Sequence, residues 1–226
     1  MYLGSNKSQA AFIYCINEYL ANNVLNKIGF SDIRFLYPSE YKYGYYGNDF
    51  RFNYKGLGTY SAFEIFPFRP ISYIPNQFFI DLFWEYDDMW RNGPLLDKNL
   101  SAYTKDFRND YFLFLFPLTN KRVYDYGSIN SVYYCFISKE QLGALLEPED
   151  YKRINSDICV GAKRGTTLIK RSHYEVKCSP TPMDKIYLAI DRSIVERNAL
   201  IHGTTTINID SKEREQYERD LRSRLY

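Results

Sequence analysis

MDKIYLAIDRSIVERNALIHG, residues 183–203, is the stretch on which the fold assignment turns. Met183, Ile186, Tyr187, Ile190, Ile194 and Ile201 recur at three-, four- and seven-residue spacing, which predicts a helix with one buried stripe. Pro180 and Pro182 stand just before it, Asp184 is placed as a cap or first-turn acid, and Gly203 falls where helices commonly stop. At about 100° per residue such a helix sets Asp191, Val195, Asn198 and His202 along one line, with Arg197 across the apolar stripe. An arginine, an asparagine and a histidine then edge one interior-leaning surface.

Working outward, Phe12, Ile16, Leu20, Val24 and Ile28 lie at four-residue steps before Gly29, and predict a helix over 8–28. A second helical pattern opens at Pro75, with Phe79, Leu82, Phe83, Tyr86, Met89 and Trp90 on one face. Asp81, Glu85, Asp87 and Asp88 make its opposite face, read as solvated rather than metal-binding. Residues 100–116 predict a third helix whose end, YFLFLF, is apolar all round; periodicity leaves it open between a buried helix end and a central strand. VYYCFI, 132–137, reads as a short strand or a helix entry, and Ser138 with Gln141 opens a helix continued beyond Pro148. A last helix follows Asp210 or Ser211, stitched by Glu215–Arg219, Glu218–Arg222 and Asp220–Arg224 pairs.

These patterns predict a mainly α fold in a single domain, 1–226. The Tyr- and Phe-rich stretch 31–74 stands apart from them as an aromatic insertion or loop region holding short β-strands. Asp49 and Glu64 do not make a restriction-nuclease pattern, because Phe66 occupies the position of the required lysine. The segment 156–178 is polar and basic. It reads either as a solvated hairpin or loop, or as a phosphate-contacting flap using Lys163, Arg164, Lys170, Arg171 and His173.

Composition narrows the classes. With 45% hydrophobic and 25% charged residues the chain is an ordinary globular one, and a net charge of +2 demands a local basic patch for any nucleic-acid affinity. Tyr and Phe number 23 and 16, which favours aromatic packing of cores and interfaces over base stacking. Cys15, Cys135, Cys159 and Cys178 are too scattered for a zinc site, only His173 and His202 offer imidazole, and no metal or cofactor is expected. No signal pattern or membrane-length apolar run is seen, so the default expectation is a cytoplasmic protein with reduced thiols.

Arg197-Asn198-Ala199-Leu200-Ile201-His202, followed by Gly203, resembles the R-N-x-x-x-H motif of HEPN domains. The resemblance covers about twenty residues of the 226. It implies a HEPN-like helical bundle, a metal-independent RNA endonuclease in a toxin or antiphage role, and a homodimer that builds its site from both copies. RNA is the implied substrate, and an antitoxin or sensor protein a further partner. RNA supplies its own 2′-hydroxyl nucleophile, so the protein need only move protons and stabilise charge. His202 suits the proton steps. Arg197 offers a permanent planar donor fork to phosphate oxygens, and Asn198 would orient the imidazole. Two other classes stand beside this reading: a HEPN-like scaffold that binds RNA or protein without catalysis, and an unrelated helical interaction domain in which Arg197 and His202 are structural.

Overall fold

The computed structural model describes residues 15–35, 50–66, 71–86, 89–92, 95, 109–120, 129–156, 158, 162–179 and 185–207, with 212, 215, 216, 219 and 223 beyond them. Its framework is two β-sheets. The strands are β1 (Phe30–Phe35), β2 (Phe50–Tyr54), β3 (Thr59–Ile65), β4 (Gln77–Tyr86), β5 (Met89–Asn92), β6 (Tyr111–Leu118), β7 (Ser131–Ser138), β8 (Thr167–Lys170), β9 (Tyr174–Cys178), β10 (Lys185–Asp191) and β11 (Ile201–Thr206). A six-stranded sheet runs β1-β2-β3-β6-β7-β11 and a five-stranded sheet β5-β4-β10-β9-β8. Every pairing is antiparallel except β3 with β6, whose connection passes through β4 and β5 of the other sheet.

This architecture overturns the expectation of a mainly α, HEPN-like helical bundle. Residues 183–203 do not form one helix. Residues 185–191 are strand β10, Arg192–Asn198 is a helix of two turns, and Ile201 begins β11. Ile186, Leu188 and Ile190 are fully buried at alternate positions, so a period of two wins where a period near 3.6 also fitted. The segment after Pro75 fails in the same way. Phe78, Ile80 and Leu82 are buried in β4, whereas Phe79, placed in the core by the helical reading, is 51% exposed.

β6 settles the ambiguity of the apolar run as a central strand. Phe112, Phe114 and Phe116 face the core between the sheets, and Tyr111, Leu113 and Leu115 face a second core on the other side. A strand buried on both faces shows no alternation, which is why periodicity could not choose. Phe78 of β4 stacks on Phe114 at 4.2 Å between the sheets. In the second core Phe30, Phe50, Phe52 and Phe136 pack together with the N-terminal helical segment, through Ile16, Leu20 and Leu25. β1, β2 and β3, from the Tyr-rich stretch, form half of the six-stranded sheet.

Several local expectations hold. Residues 15–28 are helical, passing through a π turn at Ala21–Leu25 and ending at Gly29 in the left-handed region. Ser138 caps the helix Lys139–Gly143 with a capping box completed by Gln141, and Pro148–Ser156 is helical. The described positions beyond Ile207 are helical. The expected starts of the first and third helices, 8–14 and 100–108, and most of the last helix lie outside the described residues. Among the described residues no helix is long and apolar enough to cross a membrane.

Candidate functional site

The helix Arg192–Asn198 carries the chain from one sheet to the other, and the candidate site is built at this crossing. Its start is pinned from several sides. Asp191 accepts from Gln77 Nε2 (3.2 Å), its N–H donates to the His173 carbonyl (2.9 Å), and Arg192 N–H donates to the Asn76 carbonyl (2.8 Å). Val195 is fully buried and anchors the helix on the core. At the far end Leu200 N–H donates to the Phe136 carbonyl (2.8 Å), which docks the chain onto β7 and starts β11.

Glu196 is the centre of the arrangement. Its Oε1 accepts from the Tyr133 hydroxyl (2.9 Å), lies 3.4 Å from Arg192 Nε and 3.9 Å from His202 Nδ1. The arginine distance is that of an ion pair rather than an aligned hydrogen bond, and Nε has no hydrogen-bond partner among the described residues. Its Nη1 instead donates to the Ile74 carbonyl at 3.2 Å. At 3.9 Å the imidazole is beyond a direct bond but within reach of one bridging water. His202 keeps 45% of its side chain exposed, and Glu196 only 22%. The site is therefore an exposed imidazole backed by a half-sheltered carboxylate.

Cross-strand register explains the neighbours. His202 faces Cys135 across β11 and β7, and Tyr133 sits two residues along on the same face. Burial pushes the Cys135 thiol up to about 12, with the Tyr133 hydrogen bond opposing, so it is a protonated core group rather than a nucleophile. Burial, then Cys135 and Glu196, also raise the Tyr133 hydroxyl well above its ordinary value, which keeps it a donor to the carboxylate. Gly203 lets the Tyr134 ring lie close, since a Cβ there would come 3.0 Å from its hydroxyl.

The structure places the three motif residues differently from the single helical line. Asn198 is the last helical residue and His202 lies on a strand. Arg197 Nε donates to the Ser193 carbonyl (3.2 Å) and Asn198 Nδ2 to the Ile194 carbonyl (2.8 Å), both exposed and folded back on their own helix. Asn198 thus touches the helix backbone rather than the imidazole. Glu196, Arg192 and Tyr133, the groups that do gather toward His202, were not singled out from the sequence. Glu196 was readable only as a carboxylate six residues before the histidine, and Tyr133 carried no signal at all.

The five basic candidates are on or beside the hairpin β8–β9. Arg171 makes a two-pronged pair with buried Asp150 (2.7 and 2.8 Å), and the Tyr174 hydroxyl donates to the same carboxylate at 2.6 Å. Tyr174 in turn accepts from Glu147 N–H, and His173 Nε2 meets the Leu145 carbonyl at 3.0 Å. A carbonyl can only accept, so Nε2 carries a proton, and Nδ1 meets the Ser172 hydroxyl at 3.2 Å. Arg171 and His173 therefore fasten the hairpin to the helix Pro148–Ser156 and the turn before it. Lys163, Arg164 and Lys170 are exposed. Among the described residues no three of His, Cys, Asp and Glu converge as a metal site.

No family model, curated protein or solved structure matches this chain, and none of these comparisons identifies a HEPN domain.

Proposed function

We propose that the crossing helix and β11 carry a metal-independent RNA endonuclease site in which His202 is the proton-transfer residue and Glu196 its positioning residue. One observation carries this reading: the exposed imidazole of His202 stands 3.9 Å from a carboxylate that Tyr133 and Arg192 hold in place. A carboxylate behind an imidazole orients the ring and stabilises the imidazolium formed when it takes a proton. In the reaction His202 takes the 2′-hydroxyl proton, the 2′-oxygen bonds to phosphorus, and the bond to the 5′-oxygen breaks. The 5′-oxygen is protonated by solvent, giving 2′,3′-cyclic phosphate and 5′-hydroxyl ends. Arg197, exposed on the same short helix, supplies the cation for the charged phosphate oxygens by exchanging its single backbone contact.

The test is incubation of purified protein with mixed RNAs in EDTA, with end-group analysis of the fragments. His202→Ala should slow cleavage by roughly two to four orders of magnitude and Arg197→Ala by a similar factor. Glu196→Gln should lower the rate and shift its pH dependence, which a merely structural carboxylate would not do. Cleavage that survives His202→Ala, or that appears only with added magnesium, removes the proposal.

A second reading has its own support. Glu196 Oε1 is already shared by Tyr133 and Arg192, and Arg192 also binds the Ile74 carbonyl, so the cluster ties the crossing helix to β7 and to the segment that leads into β4. A non-catalytic RNA- or protein-binding scaffold would use it as a clasp. Under that reading Glu196→Gln lowers the melting temperature and no RNA is cut.

A further inference from the structure

We propose that β11 is a dimerisation edge, on which a second copy of this chain adds its own β11 antiparallel, about a twofold axis through Thr204. Sheet edges expose unpaired N–H and C=O groups, and proteins blunt them with shortness, charge or bulges. Three of the four edges here carry such devices. β1 has a register break between Ser31 and Arg34 and bears Asp32 and Arg34. β5 and β8 are four residues long, and β8 adds a break between Thr167 and Ile169 and ends on Lys170. β11 has none of these. Its six residues, IHGTTT, pair with β7 in unbroken register from Ile201↔Phe136 to Thr206↔Ser131, without proline, lysine, arginine or acid.

The bonding pattern shows which groups the edge offers. Ile207 N–H donates to the Asn130 carbonyl at 3.0 Å, and antiparallel bonding alternates along a strand. Ile201, Gly203 and Thr205 therefore turn toward β7, while His202, Thr204 and Thr206 turn their backbone groups outward. All three outward residues are exposed, and among the described residues no strand lies beyond them.

That edge is complementary to itself, which is why the occupant is a second copy. A twofold axis at Thr204 sets Thr204 against its own copy and His202 against Thr206 of the second copy at both ends. The three pairs are of the hydrogen-bonded kind, two backbone bonds each, and threonine pairs are favourable across strands. No like charges meet. The two His202 side chains then project from the same face of one continuous sheet, about 14 Å apart along the strands. The interface does not depend on the chemistry proposed above, since mass and RNA cleavage are measured separately.

The test is light-scattering mass at micromolar concentration on the full chain. The wild type should run at twice the chain mass of 26.8 kDa. Thr204→Lys and Thr204→Asp each bring like charges together at the axis and should run as monomers with unchanged circular dichroism. An equimolar mixture of the two variants should recover the dimer, because opposite charges then meet. Thr204→Pro removes one outward N–H without touching the bonds to β7 and should also give monomer. A monomeric wild type, including one whose edge binds only an extended peptide of another protein, overturns the proposal. So does a dimer that survives all three substitutions.

Discussion

Asp150 is nearly buried yet charged, and its surroundings say how. The hydrogen bonds from Arg171 come first in holding its carboxyl below the ordinary range; Tyr174 and the nearby charges of Arg171 and Arg153 add to them, while burial opposes. A carboxyl depressed in the folded state stabilises the fold at pH values above its unfolded value, about 4, and loses that contribution as pH falls through the lowered value. The melting-temperature gap between wild type and Asp150→Asn should therefore be widest near neutral pH and close in strong acid, as scanning calorimetry across pH would show. Tyr174→Phe strips two hydrogen bonds from a side chain 1% exposed and should cost about 1–3 kcal/mol by chemical denaturation. The same residues show what composition could not convey. Arg171 and His173 read from the sequence as part of a solvated hairpin or of a phosphate-contacting flap, and only the tertiary structure shows the partners they hold, Asp150 and the Leu145 carbonyl.

At the scale of elements, β4 gives the cleanest contrast between a strand and a helix. Phe78 is buried against Phe114, whereas its neighbour Phe79 is half exposed and meets Tyr187 at 5.8 Å on the outer face. Phe78→Ala should cost about 3–5 kcal/mol of stability and Phe79→Ala less than about 0.5 kcal/mol. Equilibrium unfolding in urea measures both, and a reversed order would restore the helical reading of 75–90. The elements that were legible share one property: their signals are local. Ser138 with Gln141 marks a helix start within four residues, and Gly29, with φ at 101°, marks a helix end at one. The crossing helix is short because its ends are set elsewhere, by Asn76 and His173 at one side and by Phe136 at the other.

For the whole molecule, far-ultraviolet circular dichroism should resolve into more strand than helix, with a signal at 222 nm well short of that of a helical bundle. Sequence by itself determined an aromatic-rich globular chain and the capped helix after Ser138, and it left the Tyr-rich stretch open between short strands and a loop. It did not determine sheet against bundle. Short apolar runs such as 111–116 and 185–191 satisfy more than one period, and the deciding term is which distant strand lies alongside, as β4 does for β10 across more than a hundred residues. The candidate site divides in the same way. His202 was visible as a residue type, but its partner across the sheet, Cys135, and the Tyr133 hydroxyl on Glu196, sixty-three residues away, exist only once β7 pairs with β11. Hydrogen bonding between strands is non-local, so tertiary structure alone decided which carboxylate stands behind the imidazole.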